Sequence, residues 1–116
     1  MVEQGVTLHR PLVETHLHMT TTLDRIVKER REEILRLAAK HGVRTIRLFG
    51  SVARGQASEG SDIDFLVEPA PQTSPWFPAG LVLDLQDLLG RKVEVVTEGA
   101  LHWYIRERVL KEAVPL

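Results

Sequence analysis

Two short apolar runs, Thr45 to Phe49 and Ile63 to Val67, flank the segment GSVARGQASEGSDID at residues 50–64, and this layout narrows what the chain can fold into more than any other feature. Thr45, Ile46, Arg47, Leu48 and Phe49 read as a strand that stops at Gly50 and Ser51, before the small, helix-compatible Val52, Ala53 and Arg54. The pattern predicts a strand, a tight turn and a helix start. Ile63, Phe65, Leu66 and Val67 predict a second strand, opened by Asp62 and Asp64. Side chains alternate between the faces of a strand, so these two carboxylates point the same way. Nothing basic lies between them, and two like charges side by side are costly unless a cation or a shared proton compensates.

A divalent cation is the usual compensation. Hard oxygen ligands favour Mg²⁺, which is held by few carboxylates and completes its octahedron with water and substrate phosphates. A phosphate-binding element is therefore expected nearby, and the preceding turn has the residues for one. Gly50 lets backbone approach a ligand closely, Ser51 offers a hydroxyl to a phosphate oxygen, and the exposed amides of a helix start favour an anion. Arg54 adds positive charge beside them.

Gly-Ser, a gap from Val52 to Ser61, and then Asp-x-Asp resembles the pattern of the polymerase-beta-like nucleotidyltransferase superfamily, which carries a third acidic residue on a later strand. More closely, GSVARG, SDIDFLVE and GRKVEVVTEGALHWYIRERVLKEAVPL are similar to the minimal nucleotidyltransferases, which act as antitoxins beside HEPN-domain toxins. The resemblance covers residues 22–116 and implies an α/β two-layer sandwich with a small mixed sheet. It also implies that Asp62, Asp64 and Glu94 are the catalytic and metal-holding carboxylates, with one or two Mg²⁺ ions. Glu94, flanked by Val93 and Val95, stands where the family carries aspartate. Gly50, Ser51, Arg54 and Ser61 are the expected nucleotide-binding residues, with ATP as donor. The implied reaction is AMP transfer to a tyrosine hydroxyl of a cognate HEPN ribonuclease toxin, which silences it. Two alternatives stand beside it: neutralisation by binding alone, and nucleotidyl transfer to a small molecule.

A chain of 116 residues with 43% hydrophobic content can bury one core, so a single domain over residues 22–116 is expected, preceded by a flexible extension at 1–21. Met19 is a possible alternative start, and His16 and His18 read as incidental rather than as metal ligands. A formal charge of −1 gives no basic field, so direct nucleic-acid binding is not expected. Cysteine is absent, and no membrane-spanning segment or signal peptide is visible; cytoplasmic residence follows as an expectation.

The remaining pattern is helical. Apolar positions from Leu23 to Ala38 predict one amphipathic helix capped by Thr22 and stopped by Gly42, and Leu81, Leu85, Leu88 and Leu89 predict a second that ends at Gly90. Between them a proline-rich loop at 68–78 carries Trp76 and Phe77, both expected to fold back onto the core. A last helix after Gly99 is expected to pack Leu101, Trp103, Tyr104, Ile105, Val109 and Leu110 on the sheet, leaving Arg106, Glu107, Arg108, Lys111 and Glu112 as its charged set.

Overall fold

The computed structural model describes residues 22–58 and 60–116. The expectations for residues 1–21, Met19, His16 and His18 included, lie outside the described residues, as do the side chains of Thr22 and Leu23.

The chain opens with α1 (Thr22–Glu29) and α2 (Arg31–Lys40), where the sequence pattern predicts one continuous helix. The break is a tightened turn at Arg30, whose φ and ψ are −103° and 17°. Its N–H is shared between the carbonyls of Ile26 and Val27, at 3.1 and 3.2 Å. Val27 and Ile34, seven positions apart, are both fully buried, so one apolar stripe runs across the break.

Next come β1 (Val43–Phe49), the one-turn helix α3 (Gly50–Ala53) and β2 (Ile63–Pro69). The chain continues through α4 (Ala79–Leu89), β3 (Val93–Thr97), a 3₁₀ turn (Glu98–Ala100), α5 (Trp103–Glu112) and β4 (Val114–Pro115). The four strands form one sheet in the order β3-β2-β1-β4. β1 pairs antiparallel with β2 and β4, and β2 pairs parallel with β3, so the sheet is mixed. A parallel pair needs a crossover, and α4 supplies it. Gly90 ends that helix in the left-handed conformation, at φ 67°.

The antiparallel register pairs Ile46 with Val67 and Leu48 with Phe65 on one face, and Arg47 with Leu66 and Phe49 with Asp64 on the other. One extra residue in β1, between Val43 and Thr45, forms a bulge that returns Val43 to the face of Ile46. That face is the main core, where Ile63, Phe65 and Val67 meet Val27 and Ile34 of the first helices and Leu81 and Leu85 of α4. This is the expected two-layer α/β sandwich.

Two apolar expectations need correction. Phe77 packs against the core, but Trp76 is 78% exposed. The carbonyl of Trp76 accepts the Gly80 N–H at the start of α4, and with the backbone so fixed two consecutive side chains diverge, leaving one turned outward. On α5, Val109 is buried while Trp103 and Tyr104 are 79% and 68% exposed. The helix turns Ile105 and Val109, spaced by four, to one side, and Trp103 and Tyr104 fall off that stripe.

Candidate active site

Three chain segments converge where β1 ends and β2 begins. Gly50, the first residue after β1, has φ 78°, a conformation that other residues rarely adopt. A side chain there would also run into the Asp64 carboxylate, so the backbone turn and the acid are in close contact. Asp64 stands on β2 directly beside Glu94 of β3 in the parallel register. Residues paired in this way share a face, which brings the two carboxylates together. Asp62, half-buried, lies just before β2.

The Asp64 carboxyl is pushed from an ordinary 3.8 up to about 7. Partial burial is the largest cause, followed by a hydrogen bond to Glu94 and by the charges of Glu94 and Asp62; Arg54 acts in the opposite sense. Near neutrality Asp64 therefore still holds a proton part of the time, which is one of the two ways such a crowded carboxylate can be relieved. A hard cation is the other. Among the described residues no group of three His, Cys, Asp or Glu side chains is drawn together tightly enough to hold a metal ion by itself. The donor set still fits Mg²⁺, because that ion commonly takes one or two carboxylates and fills the rest of its shell with water and phosphate. Asp64 with Glu94, and Asp62 beside them, offer this.

The other expected residues are placed as follows. Ser51 lies within α3, half-buried, and its carbonyl accepts the Gln56 N–H at 2.8 Å. Arg54 caps the end of α3, and its Nε donates to the Gln56 side chain at 3.0 Å. Ser61 is turned toward its own loop: its hydroxyl accepts the Ser58 N–H at 2.9 Å and its N–H donates to the Ser58 carbonyl at 3.0 Å.

One residue of this neighbourhood belongs, by its sequence pattern, to a charged helix surface. Glu112, at the end of α5, accepts the Gly50 N–H at 3.3 Å and an Arg54 Nη1–H at 3.0 Å, both through Oε2. Its side chain is 18% exposed. The available signal was its position three residues after buried Val109, which places both on one helix face.

Comparison with known proteins gives a consistent picture. Residues 25–116 match the family described as nucleotidyltransferase domain. A Methanocaldococcus jannaschii protein, provisionally named a protein adenylyltransferase, is 38% identical over 88 residues, which cover 76% of this chain and 95% of that protein. The protein adenylyltransferase MntA of Thermococcus cleftensis is 40% identical over 78 residues, covering 67% of this chain and 79% of its own. A solved structure provisionally named a minimal nucleotidyltransferase superposes with a TM-score of 0.72 at 45% identity, covering 80% of this chain and 95% of that one. A toxin-antitoxin structure with AMP-PNP shares the fold at 23% identity and a TM-score of 0.61, covering 72% of this chain and 69% of that one.

Proposed function

The chain belongs to the nucleotidyltransferase domain family, and on that premise we propose that it is an antitoxin that transfers AMP from ATP, with Mg²⁺, to a tyrosine hydroxyl of a HEPN ribonuclease toxin in the cytoplasm. The observation that carries this reading is the meeting of Asp62, Asp64 and Glu94 with the Gly50 turn and Arg54 at one end of the sheet. The relatives named as protein adenylyltransferases support a protein acceptor and AMP as the group transferred. The neighbouring toxin-antitoxin complex with AMP-PNP supports a toxin partner and a nucleotide donor.

In this mechanism Gly50, Ser51 and Arg54 anchor the triphosphate, with Ser61 at the rim. Asp62, Asp64 and Glu94 are the ligands available to Mg²⁺. When bound, the ion supplies neutralisation of the phosphate charge and a lowered pKa for the acceptor hydroxyl. The acceptor oxygen attacks the α-phosphorus, the bond from that phosphorus to the bridging oxygen breaks, and pyrophosphate leaves. Glu94, the most exposed of the three acids, takes the hydroxyl proton. The protein's contribution is mainly placement and charge compensation.

Intact-mass spectrometry of the partner toxin, incubated with this chain, ATP and Mg²⁺, tests the reading. The expected result is a gain of about 329 Da per modification, one AMP less water, from the stoichiometry of nucleotidyl transfer. The Asp62→Ala, Asp64→Ala double variant should give none. A second reading, neutralisation by binding alone, is favoured by one observation: Glu112 already occupies the Gly50 and Arg54 donors. A stable toxin complex with no mass gain would select it.

A further inference from the structure

We propose that Glu112 is a gate on the nucleotide seat: its carboxylate takes the Gly50 N–H and the Arg54 guanidinium, so that a triphosphate enters by displacing the C-terminal end of α5. The inference rests on the nucleotide-binding reading above and adds a regulation of that site. Gly50 has one N–H, and a hydrogen already given to Glu112 is lost to a phosphate oxygen. Arg54 is likewise engaged, through Nε by Gln56 and through Nη1 by Glu112. A carboxylate seated on these donors also repels a polyanion, so the occupied seat disfavours nucleotide twice.

Release of Glu112 is felt beyond the site because the helix end is tied to the sheet. The Ala113 N–H closes α5 onto the Val109 carbonyl at 2.9 Å, and β4 follows at once, paired with Arg47 and Leu48. The Leu116 N–H reaches the Ile46 carbonyl at 3.1 Å. Moving the carboxylate out of the seat therefore pulls on the short edge strand β4. Nucleotide occupancy and attachment of residues 113–116 to the sheet become opposed states of one element.

Calorimetric titration of the full chain with AMP-PNP and Mg²⁺ tests the gate, using wild type, Glu112→Gln and Glu112→Ala. Glu112→Gln keeps the size and removes the charge, and Glu112→Ala removes the acceptor. Both should bind about tenfold more tightly than wild type, as expected when one charge-assisted contact no longer competes. Amide hydrogen exchange at Ala113, Val114 and Leu116 should accelerate in wild type on adding AMP-PNP. Equal or weaker binding by both variants, without that acceleration, overturns the gate and makes Glu112 a positioning residue for Arg54, while nucleotide binding stands. Absence of AMP-PNP binding in all three proteins overturns the nucleotide reading itself and the gate with it.

Discussion

The two ends of the β1–β2 pair each carry an acid, and the two acids are treated oppositely. At the end where Val43 meets Pro69, His41 is buried beneath the start of α4. Its Nδ1 lies 2.6 Å from the Ser74 hydroxyl and its Nε2 2.8 Å from Asp84, which also receives Lys40 at 3.2 Å. The His41 hydrogen bond, and after it Lys40, hold the Asp84 carboxyl below its ordinary value. At the end where Phe49 meets Asp64, partial burial and after it the acids Glu94 and Asp62 drive the carboxyl up to about 7. The first cluster is complete within the protein and ties α2, the 70–78 loop and α4 together. The second is complete only with something added. Polar groups that satisfy one another stabilise a fold, whereas groups left in conflict mark a place for a ligand.

Four expected outcomes can break or sharpen this contrast. The largest concerns chemistry: Asp64→Ala should lower AMP transfer by about a thousandfold, the scale of losing a preorganised electrostatic contact at the reacting centre, with the fold retained by circular dichroism. His41→Ala should do the reverse. It removes the imidazole that joins Ser74 to Asp84, leaving Asp84 with Lys40 only, and should cost about 2–3 kcal/mol in denaturant unfolding, the scale of a broken buried network, with transfer per folded molecule unchanged. An His41→Ala variant as stable as wild type would show that the first cluster does not anchor the fold.

A smaller effect separates the two ends by ligand. At ten times its Kd, Mg²⁺ should stabilise wild type by about 1.4 kcal/mol through mass action, and Asp64→Asn should abolish that gain while Asp84→Asn keeps it. Thermal melts read both.

The last contrast is the pH dependence, whose sign differs between the acids. The Asp64 value is raised, so in the metal-free protein its share of stability is full below pH 3.8 and is lost as pH climbs toward about 7. The Asp84 value is lowered, so its share is present above pH 3.8 and is lost as acid protonates the folded form. Asp64→Asn should flatten the neutral side of the stability profile, and Asp84→Asn the acid side. Identical profiles for the two variants would remove the basis of the contrast.

Much of this was legible in the chain, for local reasons. Alternation at Ile63, Phe65 and Val67 and the glycines at 50 and 90 report on backbone a few residues away, and the structure has strands and turns there. The break at Arg30 left no mark, since neither proline nor glycine is present and the apolar stripe continues through it. Residue type favours burial of Trp103 and Tyr104, but the phase of α5 set by Ile105 and Val109 leaves both off the buried side. Strand β4, two residues long, is too short for any period to show. Glu112 meets Gly50 and Arg54 across 62 and 58 residues of chain, a pairing that three-dimensional folding alone brings about. Gly50, Asp62, Asp64 and Glu94 were named from motif and resemblance, and their meeting depends on which strands are neighbours.

That dependence has a genetic side. Asp64 and Glu94 are opposite each other because β3 enters the sheet in one register, with the Lys92 carbonyl accepting the Ile63 N–H at 2.9 Å. The span from Gly90 to Lys92 works as a caliper between the end of α4 and that contact. Deleting or adding a single codon there slides β3 by one position, which turns Glu94 toward the apolar layer and Val93 toward the carboxylates. A population carrying such indels would lose the acid pair and the core together. Length in this connection is therefore expected to be held as strictly by selection as the identity of the acids it aligns.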